Sequence, residues 1–236
     1  LPEADGGITP AAVEACKRWL DEATAIAIGP GLGRSQATQE AIRGLLAAYH
    51  GGAVVDADGL FAMGTGEPLA DRKAPTLVTP HAGEFARLAP GAEGTRLHRA
   101  SDRARAWGVT VLLKGNDTVI AEPAGRLVVN PTGVPALASG GTGDVLTGLT
   151  GALLAQGLDP FDAARLGAWV HGRAGSLAAA DLSAVSVAAG DVADHLPAAF
   201  RELLASHPVI QGRPPVSRTR GGRARTAGPW DRMVPR

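Results

Sequence analysis

Four short runs of apolar, largely β-branched residues set the frame for this chain: Ala25-Ile26-Ala27-Ile28, Ala53-Val54-Val55, Thr76-Leu77-Val78 and Val109-Thr110-Val111-Leu112-Leu113. Runs of this length without polar alternation read as strands buried on both faces. Between and after them, apolar residues recur at helical spacing over 35–49, 96–107, 144–156, 160–180 and 190–205. Strands that alternate with helices pair in parallel, so the expected fold is α/β, with a mostly parallel sheet covered on both faces. Residues 118–121 and 126–129 flank Pro123-Ala124-Gly125 and read instead as an antiparallel hairpin within or beside that sheet.

Each strand ends in a polar or glycine-rich cluster. In order these are Gly29-Pro30-Gly31-Leu32-Gly33, Asp56-Ala57-Asp58-Gly59, Thr79-Pro80-His81-Ala82-Gly83-Glu84 and Lys114-Gly115-Asn116-Asp117-Thr118. Open parallel sheets bind ligands in the crevice at the carboxyl ends of their strands, so all four clusters are expected to line one crevice. Facing them would be Ser139-Gly140-Gly141-Thr142-Gly143-Asp144, a tight turn that opens a helix and points backbone N–H groups outward as an anion cradle.

The residues alone leave several roles open. Asp144 is either an N-terminal cap or a base beside the cradle. His81 is a surface or supporting imidazole, or a ligand contact. Lys114 is a solvated strand-end lysine or a mobile ammonium for phosphate oxygens, with Gly115 allowing close backbone approach. Glu84 caps the helix beginning near Gly83 or helps arrange Mg²⁺. Asp56 and Asp58 read as turn-forming and N-capping, with no catalytic part.

Gly29-Pro-Gly-Leu-Gly33, Val55-Asp-Ala-Asp-Gly-Leu60, Thr79-Pro-His-Ala-Gly-Glu84, Leu113-Lys-Gly-Asn-Asp-Thr118 and Asn130-Pro-Thr-Gly through Ser139-Gly-Gly-Thr-Gly-Asp-Val-Leu146, in this order, resemble the NAD(P)H-hydrate dehydratases. The likeness runs from about Ala25 to about Leu204. The Gly-Thr-Gly-Asp element is shared across ribokinase-like kinases, whereas Pro-His-Ala-Gly-Glu and Gly-Pro-Gly-Leu-Gly separate the dehydratases from the vitamin kinases of that superfamily. The resemblance implies a ribokinase-like three-layer α/β/α fold with a mostly parallel central sheet. It implies a lyase that uses ADP, or ATP, with Mg²⁺ to remove water from the hydrated nicotinamide ring of NADHX or NADPHX.

The same resemblance implies roles for single residues. Asp144 would be the base, beside an anion hole of Gly141, Thr142 and Gly143. Gly33, His81 and Asp144 would contact the hydrated dinucleotide. Lys114, Gly115, Asn116, Asp117, Thr118 and Gly143 would hold the adenine nucleotide, and no residue is assigned as a metal ligand. A homo-oligomer is expected, as is an NAD(P)HX epimerase fused to the chain or working with it. Residues 1–24 match none of the family's upstream segment, so residues 1–206 are expected to form a dehydratase domain that starts inside the family pattern. Two other readings stay open: a ribokinase-like kinase of a small vitamin precursor, using the same Asp144 and cradle, and a nucleotide-binding fragment without activity.

With 236 residues, 45% of them hydrophobic and 19% charged, the chain can bury one full core. No apolar run approaches the roughly 20 residues of a membrane helix, and Leu1–Asp5 lacks a signal pattern, so a cytoplasmic protein without a membrane partner is expected. Cys16, in a helical stretch with Trp19 and Leu20, reads as a packed core thiol. The net charge of zero conceals +6 in residues 207–236 and −6 before them. That Arg-, Pro- and Gly-rich tail reads as disordered, and with Trp230 its one aromatic residue no nucleic-acid partner is expected.

Overall fold

The computed structural model describes residues 3, 4 and 6–206, and the disordered-tail expectation for 207–236 lies outside them. A small antiparallel ribbon, β1 (Glu3–Ala4) and β2 (Gly7–Ile8), leads into α1 (Pro10–Glu22). The sheet then assembles in sequence order from β3 (Ala25–Ile28), β4 (Gly52–Val55), β5 (Thr76–Val78), β6 (Thr110–Leu113), β7 (Thr118–Ala121) and β8 (Leu127–Asn130). The first four strands are parallel, and β7 and β8 add to β6 as an antiparallel hairpin inside the same sheet. Ile28, Val55, Val78 and Val111 lie in one row of the register, which brings the loops after β3, β4 and β5 to one edge, with that after β6 two residues further on.

Successive strand residues point to opposite faces, and the core divides accordingly. Ala53, Val55, Val78, Val111 and Leu113 face α2 (Gln36–Ala48), α3 (Ala57–Ala62), α5 (Ala82–Leu88) and α6 (Arg96–Trp107), where Ile42, Leu60, Phe85 and Trp107 cover them. Val54, Leu77, Leu112 and Ile120 face α7 (Thr142–Ala155), α8 (Pro160–Leu182) and α9 (Ala189–Ser206), beneath Leu146, Leu153, Phe161 and Val170. This is a three-layer α/β/α fold. Each fully buried Leu or Val contributes about 1.5–3 kcal/mol of transfer free energy, and burial on both faces is why the strands read as unbroken apolar runs. Among the described residues, no helix is long and apolar enough to cross a membrane.

Several local features depart from the sequence expectation. Helix α7 begins at Thr142, two residues early, because Gly141 takes a left-handed φ of 84° as its N-cap. The short α3, α5 and α4 (Glu67–Asp71) carry too few turns to show a period. Cys16 is half-buried on α1 and lines a groove instead of the core, and Trp19 beside it is exposed.

Candidate active site

The loops after β4, β5 and β6 and the first turn of α7 line a cleft of about 630 Å³, and the loop after β3, expected in the same crevice, is not part of it. Asp56 follows β4, His81 and Glu84 follow β5, and Lys114 follows β6. Gly141, Gly143 and Asp144 face them, and His171 reaches in from α8.

At the base of the cleft lies an ion pair whose acid is buried and whose lysine is half-buried. Lys114 Nζ donates to Asp56 Oδ1 at 2.8 Å, and Thr147 Oγ1 of α7 donates to Asp56 Oδ2 at 2.7 Å. Glu84 Oε2 stands 3.9 Å from the same ammonium. Asp56 is 1% exposed. By position it is the N-cap of α3, yet its carboxylate makes no capping hydrogen bond, so the capping expectation for this side chain does not hold. Asp58 likewise serves a loop: it accepts from Gly33 N at 3.0 Å and from Arg34 Nε at 2.6 Å, which pins the glycine-rich turn after β3. Gly29 begins that turn with φ of 139°, and a Cβ there would overlap the Asp56 carbonyl. No other residue fits.

The cradle is built from the other side. Among the described residues, the N–H groups of Gly141 and Gly143 meet no acceptor, while Thr142 N donates to Ser139 O at 3.4 Å. The Thr142 hydroxyl turns inward to the carbonyls of Leu137 (2.7 Å) and Ser139 (2.9 Å), so Thr142 shapes the turn from within. A Cβ at Gly143 would stand 3.4 Å from Lys114 Nζ, so the cradle and the ammonium lie within van der Waals reach of each other. His171 Nε2 lies 2.8 Å from the Thr142 carbonyl; burial, reinforced by the nearby Lys114 charge, pushes this imidazole down to about 4 despite that hydrogen bond. The Asp144 carboxylate is exposed and forms no hydrogen bond or ion pair with the described residues. It lines the main cleft and also a second, mostly apolar groove of about 450 Å³ whose wall includes Gly29, Pro30 and Leu32.

The segment after β6 is held in shape by Arg96 of α6, which donates to the carbonyls of Leu113 (3.1 Å), Lys114 (3.1 Å) and Asp117 (3.4 Å). A Cβ on Gly115 would overlap that guanidinium, so the close approach Gly115 permits is that of Arg96. Thr118 Oγ1 closes the turn on the Gly115 carbonyl at 3.1 Å. Lys114, Gly115, Asn116 and Thr118 line the cleft, whereas the exposed Asp117 does not. His81 lines it too and caps α5: its Nδ1 accepts from Gly83 N (3.0 Å) and Glu84 N (3.3 Å), and Glu84 Oε2 accepts from His81 N at 2.8 Å. Glu84 is therefore a capping residue and a neighbour of Lys114 at once. The His81 proton sits on Nε2, and the ring remains 58% exposed. Gly33 lines neither cavity. Reading the sequence missed Thr147, Arg96 and His171; a histidine in the otherwise apolar Trp169-Val170-His171-Gly172 stretch was the one available signal.

Residues 8–198 match the family model described as NAD(P)H-hydrate dehydratase. The bifunctional NAD(P)H-hydrate repair enzyme Nnr of Moorella thermoacetica is 44% identical over 209 residues, covering 86% of this chain and 39% of that protein. Its namesake from Salinibacter ruber is 45% identical over 199 residues, covering 82% and 36%. The chain thus spans less than two fifths of the length of these curated relatives. Among solved structures, the ADP/ATP-dependent NAD(P)H-hydrate dehydratase from Bacillus subtilis, co-crystallised with ATP/Mg²⁺ and soaked with CoA, superposes with a TM-score of 0.65 at 35% identity, covering 76% of this chain and 66% of that one. A ribokinase-like superfamily protein from Enterococcus faecalis V583 superposes at 0.68 with 26% identity, covering 83% and 69%. Motif order, the three-layer architecture and the match over residues 8–198 agree: the chain belongs to the NAD(P)H-hydrate dehydratase family and has its ribokinase-like α/β fold.

Proposed function

We propose that this chain dehydrates NADHX or NADPHX at the expense of ADP or ATP. The observation that carries the reading is the place of Asp144: a carboxylate on the ridge between two cavities that has no partner among the described residues, beside cradle N–H groups that likewise meet no acceptor among them. The nucleotide lies in the main cleft along Lys114–Thr118, and its transferring phosphate meets the N–H groups of Gly141 and Gly143. The hydrated dinucleotide approaches across Asp144 from the side of His81 and the loop ending at Gly33.

In this arrangement Asp144 takes the proton of the ring hydroxyl as its oxygen attacks the terminal phosphorus of the nucleotide. The P–O bond to the leaving nucleotide breaks, and the cradle stabilises the charge on the phosphoryl oxygens. The ring C–O bond then breaks with its electron pair departing on phosphate. A proton leaves the adjacent carbon, the C=C bond returns, and the products with ADP are NAD(P)H, AMP and phosphate.

Mg²⁺ favours one or two carboxylates with substrate phosphates and water over an all-protein cage. Among the described residues no group of three His, Cys, Asp or Glu side chains is arranged to hold a metal, while the Asp56 and Glu84 carboxylates both border the cleft. These residues fit an ion carried in on the phosphates, which would neutralise charge on the transferring group. The relatives are named as bifunctional repair enzymes, and we infer that an NAD(P)HX epimerase acts beside this domain.

The test is incubation of the purified chain with NADHX, ADP and Mg²⁺. Return of NADH absorbance with equal yields of AMP and phosphate supports the reading. Accumulation of a stable phosphorylated alcohol would identify a kinase instead, and absence of any turnover would remove the enzymatic reading.

A further inference from the structure

The Thr142 carbonyl and the Gly143 N–H belong to one planar peptide unit. That N–H is a cradle donor without an acceptor among the described residues. The carbonyl across the same plane lies 2.8 Å from His171 Nε2, and a carbonyl has no proton to give, so Nε2 carries the hydrogen. A donor placed on an amide oxygen draws electron density through the unit and strengthens the opposite N–H, by about 10–30% per bond. It also fixes the tilt of a plane that, in the first turn of a helix, lacks the i−4 bond on its N–H side.

His171 is itself held. It is 6% exposed, and one residue on, Gly172 allows α8 to close against Thr132. Asn130 Nδ2 and Thr132 Oγ1 both donate to the Ala168 carbonyl, at 3.2 and 3.3 Å, which locks α8 to the loop that leads into the cradle. The imidazole therefore sits on a fixed support and presses on one peptide plane.

We propose that His171 is a positioning residue of the anion cradle: through the Thr142 carbonyl it aims and polarises the Gly143 N–H. What that N–H serves rests on the dehydratase reading; the link between His171 and Gly143 rests on geometry alone.

Two substitutions separate the donor from its bulk. His171→Leu keeps apolar volume and removes the N–H; His171→Gln keeps an N–H at similar reach. With NADHX, ADP and Mg²⁺, His171→Leu should lower kcat at least about tenfold, short of the about 10²–10³-fold cost of deleting an anion-hole donor outright, with KM for ADP changed by less than about threefold. His171→Gln should restore most of kcat. In ¹⁵N–¹H spectra of the ligand-free chain, the Gly143 amide proton should move upfield in His171→Leu and return in His171→Gln. An unchanged kcat in a folded His171→Leu chain, or equal losses in both variants with the Gly143 amide unmoved, overturns the proposal. If the unsubstituted chain fails to turn over NADHX while the Gly143 amide still answers the substitutions, the dehydratase reading falls and the coupling stands.

Discussion

Burial of His171 makes the stability of this domain depend on acidity in a way that can be isolated. The imidazole is held at about 4 in the folded chain against an ordinary 6.5, because burial disfavours its charged form and Lys114 adds repulsion. On acidification the unfolded chain therefore binds this proton first. The stability contributed by the neutral ring is complete above about 6.5, is lost progressively as the pH falls towards about 4, and changes no further below that. At about 1.4 kcal/mol per pH unit, the gap is worth about 3 kcal/mol, a large share of the roughly 5–15 kcal/mol that holds a domain folded. For a domain of this size it corresponds to a fall in Tm of roughly 6–12 °C. Urea unfolding of the unsubstituted chain and of His171→Gln, from about pH 7 to about pH 4.5, gives two curves whose difference cancels every other titrating group. Among those is His195, which Asp181 pulls in the opposite direction. The difference should close steadily as pH falls. A difference that stays flat over that range would show that the folded site admits the proton freely, and the buried, neutral imidazole would be wrong.

The other residues of the site answer to different measurements. Asp144→Asn should slow turnover by about 10²–10⁴-fold, and because the carboxylate has no partner among the described residues, stability should change by less than about 0.5 kcal/mol; near-normal turnover would strip Asp144 of its role. Asp56→Ala strands Lys114 and the Thr147 hydroxyl, so a loss of about 3 kcal/mol is expected on denaturant unfolding, whereas a mere turn residue would cost under about 1 kcal/mol. Gly115→Val pushes into the Arg96 guanidinium and should weaken ADP far more than the dinucleotide in calorimetric titration, with Arg96→Ala reproducing the effect; an unaltered ADP affinity in both would detach this loop from the nucleotide.

The legible parts of this molecule are those fixed by local pattern. Val54, Leu77 and Leu112 are fully buried beneath helices while their neighbours are buried on the other face, so each central strand shows as an uninterrupted apolar run, and its end could be placed within a residue. Parallel pairing alone accounts for the loops after β4, β5 and β6 meeting at one cleft, whereas the loop after β3, expected there too, lines the second groove instead. Side-chain partners were another matter. Asp56 stands at a strand–helix junction, where an acid is ordinarily a cap, and nothing nearby in sequence announces that its partners lie 58 and 91 residues away, in Lys114 and Thr147. Arg96 is hidden for the same reason: it reads as one more charge on a polar helix face until the fold lays it across Gly115. Asp117 sits within a motif whose neighbours line the cleft and Gly33 within one whose neighbours line the second groove, but a motif does not say which of its residues face inward.

The balance of charge in the cleft ties the site together. Its ionisable lining comprises three carboxylates, Asp56, Glu84 and Asp144, one ammonium, Lys114, and the imidazoles of His81 and His171. Lys114 is already committed to Asp56 at 2.8 Å, with Glu84 at 3.9 Å, so it offers spare N–H donors but little uncompensated charge to an incoming nucleotide. A cleft that is acidic on balance does not attract a diphosphate by long-range field; under the proposed function the cradle N–H groups would hold it only at contact, where oriented dipoles act without counter-charge. A divalent cation arriving with the phosphates reverses the sign of the encounter. ADP affinity measured by calorimetry should therefore fall at least about tenfold when EDTA replaces Mg²⁺, a change of about 1.4 kcal/mol, and Glu84→Gln should lessen that dependence by removing one of the opposing charges. Equal affinity with and without the ion would mean that Lys114 and the cradle suffice, and that the pairing of Lys114 with Asp56 opens when the nucleotide binds.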